Sequence, residues 1–153
     1  MTHPAAIRRA TEADLPRIVQ LLSQLSLDDD RDTPAEPLPE SYHTAFRAIG
    51  ADPRQQLLVA EVGGRVMATA TLGIVPNLSY RGRCWAFVEN IVVDGSARRK
   101  GYGEALLRYA IEEARRAGCY KVSLTSNKRR SEAHRFYQKL GFTATHEGFR
   151  LSL

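Results

Sequence analysis

FVENIVVDGSARRKGYGEALLRYAIEEARRA, from Phe87 to Ala117, decides how this chain folds. Val88, Ile91, Val92 and Val93 are β-branched and nearly continuous, the composition of a buried strand. Asp94, Gly95 and Ser96 end that run with turn residues. Leu106, Leu107, Ala110, Ile111 and Ala114 then recur at helical spacing, and Gly118 follows as a helix stop. Strand, turn and helix are therefore expected in that order. Arg98, Arg99 and Lys100 fall at the helix N-terminus, where positive charge opposes the helix dipole. An anion held there would offset that cost. Gly101 and Gly103 leave room for a ligand to approach the backbone. Charge and glycine alone leave two readings of the turn: an anion site, or a solvated basic turn whose glycines serve backbone bending.

Other phosphate-binding motifs fail on spacing. A dinucleotide fingerprint needs Gly or Ala three residues after its second Gly, and Leu106 stands there. A nucleotide P-loop needs Gly-Lys followed by Ser or Thr, and no such run exists. The run that is present is Arg-x-x-Gly-x-Gly, Arg98 to Gly103. It resembles the acyl-CoA signature of the GCN5-related N-acetyltransferase (GNAT) family. The resemblance extends from about Ile7 to about Leu151, is strongest over residues 87–142, and is weak before residue 55.

Outward from this core, the chain reads as one domain over residues 1–153. Ile7 to Ala10 is a short strand, and Thr11-Glu12-Ala13-Asp14 has the form of a capping box with Asp in place of Glu. Leu15, Ile18, Val19, Leu22 and Leu25 stripe a first helix. Tyr42, Phe46 and Ile49 mark a second. Leu57–Val62 and Val66–Val75, split by Gly63-Gly64, form a hairpin. Arg83–Val93 is the central strand, Tyr120–Thr125 the next, and Ser131–Leu140 a helix stopped by Gly141. Phe142–Thr145 and Phe149–Leu153 read as two last strands. The order gives an α/β fold with one crossover: a mixed, mostly antiparallel sheet flanked by helices. The resemblance implies the GNAT fold, in which the central and following strands splay apart and admit the pantetheine arm of coenzyme A.

Composition narrows the function classes. No apolar run reaches the roughly 18 residues of a membrane span, and the N-terminus lacks an apolar signal core. Two cysteines, Cys84 and Cys119, stand outside any CxxC pair, which suits reduced thiols in a cytoplasmic protein. The four His and two Cys have no metal-ligand spacing, so no metal is expected. The net charge is +5; six acids against Arg31 give residues 28–40 a net −5, so the rest carries +10. A basic body suits nucleic acid or a small polyanion. No aromatic-basic RNA signature or helix-turn-helix pattern accompanies it, which favours the small polyanion.

The resemblance implies acetyl transfer from acetyl-CoA to an amine. The amine must be neutral to attack, the thioester oxygen must be stabilised as it gains charge, and the departing thiolate gains from a proton donor. By resemblance, the backbone N–H groups of Arg99, Lys100, Gly101, Tyr102, Gly103 and Glu104, with Arg98, hold the pyrophosphate. Ile91, Val92 and Val93 pair with pantetheine through their backbone; as residues they also read as plain core strand. Tyr137, in HRFYQKLGF, reads by itself as a half-buried helix tyrosine packing the core; by resemblance it matches the family tyrosine that faces the thioester sulfur, and is the candidate general acid. Asn127 matches a position that bonds pantetheine or an ordered water, although a turn role explains an Asn there equally. Glu89 is the candidate general base, acting through water; burial inside an apolar strand would raise its pKa, and the other reading is a Glu pointing to solvent at a strand edge. Lys128, Arg129 and Arg130 read first as a solvated basic loop, and second as cations that approach the nucleotide 3′-phosphate. Tyr80, Arg81, Arg83, Trp85 and the acidic 28–40 loop flank the acceptor. AGCYKVSLTSN, with FVENIVV before it, is similar to the hexosamine-phosphate acetyltransferase branch. Amino sugar phosphates, aminoglycosides, polyamines and protein amines are the family's acceptor classes. A non-catalytic acyl-CoA-sensing module of the same fold is the alternative. A homodimer through the edge of the last strands is expected.

Overall fold

The computed structural model describes residues 4–25 and 31–153. Those residues form two compact units, one up to Ser123 and one from Leu124 onward. The first holds the sheet. Its strands are β1 (Ala6–Arg9), β2 (Gln55–Val62), β3 (Arg65–Val75), β4 (Trp85–Val93) and β5 (Val122–Ser123). They lie in sequence order, antiparallel from β1 to β4, with β5 parallel to β4. The helices of this unit are α1 (Leu15–Ser23), α2 (Glu40–Ala51), a single turn α3 (Ser79–Gly82) and α4 (Tyr102–Arg116).

Alternation along the strands sends alternate side chains to opposite faces. On one face Val59, Val66 and Val92 pack with Ile18 and Leu21 of α1. The opposite face carries Leu58, Ala68, Ala70, Leu72 and Val88, and α4 lies against β2, β3 and β4 with Leu106, Leu107, Ala110 and Ala114 buried. Four alanines at this interface let the helix sit close to the sheet. The tight Gly63-Gly64 turn joins β2 to β3, both glycines having positive φ. At the start of α1 the Asp14 carboxylate accepts the Thr11 backbone N–H at 2.7 Å, the anticipated reciprocal cap contact. It also receives Arg8 at 2.7 Å, and that guanidinium holds the carboxyl below its usual range.

The second unit contains α5 (Ser131–Lys139). Two expectations fail in its neighbourhood. The strand anticipated over residues 120–125 shrinks to Val122–Ser123, paired at Ala86 and Phe87 alone. Phe142–Thr145 and Phe149–Leu153 form no strand. Their apolar alternation lacks a pairing partner among the described residues, and Phe149, Leu151 and Leu153 stand exposed. The acids Asp28, Asp29 and Asp30 lie outside the described residues. Residues 31–39 have no helix or strand, as the prolines there anticipate.

Candidate active site

β4 organises the site through two departures from regular pairing. The first is a bulge. Thr69 pairs with Val92 and Thr71 with Glu89, so β4 carries one residue more than β3 across this interval. Asn90 takes up the extra length in the left-handed region at φ +53°, which Asn tolerates better than most residues. The second departure is the short pairing with β5. It ends at Phe87, while β4 runs on to Val93. Among the described residues no strand pairs with that edge along Val88–Val93. Val92 is buried in the core between the half-buried Ile91 and Val93, and the backbone beside them has no strand partner on that edge among the described residues.

The strand then delivers the chain into the basic turn. Asp94 is buried at 7% exposure; its carboxylate accepts Ser96 N–H at 2.8 Å and the Ser96 hydroxyl, and pairs with Arg17 of α1. The Ser96 bonds first, and Arg17 second, hold the carboxyl well below the usual range. Arg17 also donates to the Val66 carbonyl at 2.9 Å. This knot ties the entrance of the turn to α1 and β3. The sequence marked Asp94 merely as a strand end; the sign that it does more is the Asp-x-Ser spacing of a side-chain-capped turn.

Within the turn Arg99 has φ +63° and Gly101, the residue before α4, has φ +83°. Left-handed residues set between right-handed and extended ones turn successive N–H groups toward one side, the geometry of an anion-binding concavity. No side chain caps α4 at Gly101, and beyond its own chain neighbours nothing lies within 4 Å of where its Cβ would stand. Arg98, Arg99, Lys100 and Glu104 are exposed, while Tyr102 and Gly103 are buried in the first turn of the helix. An open, uncapped N-terminus flanked by cations fits a pyrophosphate.

Glu89 lies exposed on β4. Of the buried and solvent-facing positions open to it, it takes the solvent-facing one, paired with Thr71 beside the bulge. It shares its face with Thr71 and, two residues on, with Phe87, whose ring crosses the neighbouring strand at Gly73. A Cβ on Gly73 would come within 2.1 Å of that ring. Trp85 follows at 6.3 Å from Phe87, and the Lys121 ammonium is 5.2 Å from the Trp85 ring centroid. Tyr80 stacks on Tyr120 at 3.8 Å between ring centroids. An aromatic row with cations thus continues from Glu89 toward the start of β4. A feature that the sequence reading missed is a cavity of about 130 Å³ between α1, α2 and the sheet, lined among others by Ile18, Tyr42, Phe46, Thr71 and Asn90. Its signal was available in the i, i+4 aromatic pair of α2.

In the second unit Tyr137 is half-buried, with Phe136 and Phe142 at 5.4 and 6.1 Å between ring centroids. Burial raises its phenol pKa, against the opposing charge of Arg130, so the hydroxyl keeps its proton through the neutral range. Asn127 takes the turn role: its side-chain oxygen accepts Arg129 N–H at 2.9 Å, and its carbonyl accepts Arg130 N–H and meets the His134 ring at 2.9 Å.

The model of the acetyltransferase (GNAT) family matches residues 20–142. The chain belongs to the GNAT family. The match runs across both units and includes the bulge, the open edge and the basic turn. A glucosamine 6-phosphate N-acetyltransferase of Trypanosoma brucei brucei is 34% identical over 149 residues, covering 96% of this chain and 95% of the relative. An aminoalkylphosphonate N-acetyltransferase of Salmonella typhimurium is 30% identical, covering 96% and 90%. A solved structure described as a transcriptional regulator from Bacillus halodurans C-125 superposes with a TM-score of 0.93 at 38% identity, over 97% of this chain and 99% of that one. The chain is accordingly an acyltransferase of the N-acetyltransferase class, and the family's acyl donor is acetyl-CoA.

Proposed function

We propose that this GNAT enzyme acetylates a small primary amine that also carries a phosphate or phosphonate group. One observation supports the donor side above all. The edge of β4 over Val88–Val93 has no strand partner among the described residues and runs directly into the left-handed turn of Arg98–Gly103. An extended pantetheine would bond that edge, and its pyrophosphate would meet the turn's N–H groups, with Arg98, Arg99 and Lys100 around it. On the acceptor side, Glu89 would take the ammonium proton through water. Its exposed position puts water against the side chain, which suits relayed rather than direct transfer. The amine then attacks the thioester carbonyl; the C–S bond breaks and the thiolate leaves. Tyr137 would donate a hydrogen bond to the departing sulfur. Because its phenol pKa is raised, it stabilises the thiolate more than it surrenders its proton, and solvent completes the protonation.

The acceptor class rests on two supports. Two relatives are named for amines bearing a phosphate or a phosphonate. The aromatic row at the start of β4 offers the Trp85 face with Lys121 beside it, a surface suited to an amphipathic, anionic molecule. A thiol-release assay over glucosamine 6-phosphate, glucosamine, an aminoalkylphosphonate, spermidine and an aminoglycoside tests it. The expected ranking in kcat/KM has the phospho-acceptors first and falls at least about tenfold when the phosphate is removed, the loss of one charge-assisted contact. Spermidine or the aminoglycoside ranking first would overturn the acceptor class and leave the transferase reading intact.

The C-terminal segment supports a further reading, association with a second copy. Phe149, Leu151 and Leu153 alternate as a strand would and are exposed in a stretch without regular pairing. Pairing between two copies would satisfy both the backbone and the apolar face. Light scattering at micromolar protein should give twice the 17.1 kDa chain mass; the monomer mass would refute it. This reading requires a compartment that supplies acetyl-CoA, and the cytoplasm is one.

A further inference from the structure

Cys84 and Cys119 lie 35 positions apart in the sequence, yet their sulfurs are 3.4 Å from each other. Two separate pieces of backbone hold them there. α4 ends in a Schellman motif: Gly118, at φ +79°, donates to Arg115 O at 2.9 Å, and Cys119 donates to Ala114 O at 3.0 Å. That motif turns Cys119 back toward the sheet. On the other side, Tyr120 N–H donates to Cys84 O at 3.0 Å, so the two cysteine-bearing segments are zipped together just before β4 begins. The Cys84 thiol also reaches the Ala117 carbonyl at 3.4 Å. Both residues are partly exposed. The pair is thus preset for a bond and open to a small reagent, which a merely structural pair of buried cysteines would not be.

We infer that Cys84 and Cys119 are a reversible dithiol–disulfide couple that exchanges with low-molecular-weight disulfides and, when oxidised, closes a ring around the donor-binding segment. The ring would contain β4 with its open edge, the Arg98–Gly103 turn and all of α4. The chemistry balances as thiol–disulfide exchange. The Cys84 thiolate attacks one sulfur of a disulfide RSSR, forming Cys84–S–S–R and releasing RS⁻. Cys119 then loses its proton to solvent and attacks the Cys84 sulfur, releasing the second RS⁻. The protein gives up two electrons and two protons, and RSSR becomes two RSH. Cys84 acts first because burial and the neighbouring thiol push the Cys119 pKa up to about 11, which keeps Cys119 protonated until its partner is within reach. Closing the bond needs the sulfurs to approach by only about 1.4 Å.

The experiment incubates the full chain in glutathione buffers of graded oxidised-to-reduced ratio and reads intact mass, peptide maps and Tm. The expected product has lost two hydrogens, shows a Cys84–Cys119 linked peptide, and reverts with dithiothreitol. Its Tm rises by roughly 5–15 °C, the scale of closing a loop of this length in a domain of this size. Cys119→Ser should accumulate a glutathione adduct on Cys84, and Cys84→Ser should react much more slowly. A wild-type chain that stops at a stable glutathione adduct overturns the inference. So does a chain that forms the link only when unfolded, since preset geometry is then irrelevant.

Discussion

Asp94 accepts Ser96 and pairs with Arg17, and this one carboxylate joins the donor turn to α1. Its side chain is 11% exposed and that of Arg17 18%, so the pair is poorly screened. Asp94→Ala leaves the partly buried Arg17 without its carboxylate and should cost roughly 2–4 kcal/mol in chemical denaturation. The pH dependence has a definite sign. The folded-state pKa is depressed, so the contribution is fully present above the unfolded value near ~4 and is lost as pH falls toward the folded value. The acid limb of a Tm–pH curve should be visibly shallower in Asp94→Asn than in the wild type. Two further residues carry rate predictions. Tyr137→Phe keeps the ring between Phe136 and Phe142 and removes the donor; turnover should fall by roughly 10–10³ with little change in acetyl-CoA affinity. Full turnover would return Tyr137 to the core. Glu89→Gln should lose most rate at low pH, where the amine is protonated, and recover toward high pH. An equal loss at every pH would make Glu89 an orienting group.

At the scale of elements, the turn before α4 depends on backbone shape more than on side chains. Gly101 has open space around it, so an added methyl would clash with nothing; the obstacle is φ +83°. Gly101→Ala should therefore weaken acetyl-CoA binding at least about tenfold by calorimetry, through a reshaped turn, while far-UV dichroism stays the same. Unchanged affinity would separate the turn from the pyrophosphate. β4 makes a complementary prediction: in hydrogen exchange, its backbone over Val88–Val93 should gain protection when acetyl-CoA is added, and the β2–β3 hairpin should not. The same elements show what was legible in the sequence. The apolar runs of β2, β3 and β4 and the stripe of α1 read correctly, because burial on a strand or helix face writes a period into the residues. Over Arg98–Gly103, charge and glycine left an anion site and a solvated turn both open, and it was the spacing of the run that resembled the family signature. The bulge was not legible, since an Asn at φ +53° leaves the apolar run uninterrupted on either side. For Glu89 the sequence left a buried and a solvent-facing position open, and a single acid in an apolar strand does not say which face it takes. The last two strands were expected because alternation announces a capacity to pair, and nothing in a single chain's periodicity says where the partner is.

At the scale of the molecule, the unfilled edge of β4 has a bearing on survival in the cell. A sheet that ends its pairing early leaves hydrogen-bonding backbone exposed, and exposed backbone of β-branched composition is where chains adhere to one another. If acetyl-CoA covers that edge, the donor is also the molecule that keeps the protein from aggregating. Saturation adds stability by mass action, about 2.7 kcal/mol at a hundredfold excess over Kd. Heating the protein with and without acetyl-CoA should separate the two states by turbidity as well as by Tm, with the unliganded chain clouding first. A cell short of acetyl-CoA would then lose this enzyme in two ways, first as activity and later as protein. Metabolic scarcity would be recorded in the amount of the enzyme itself.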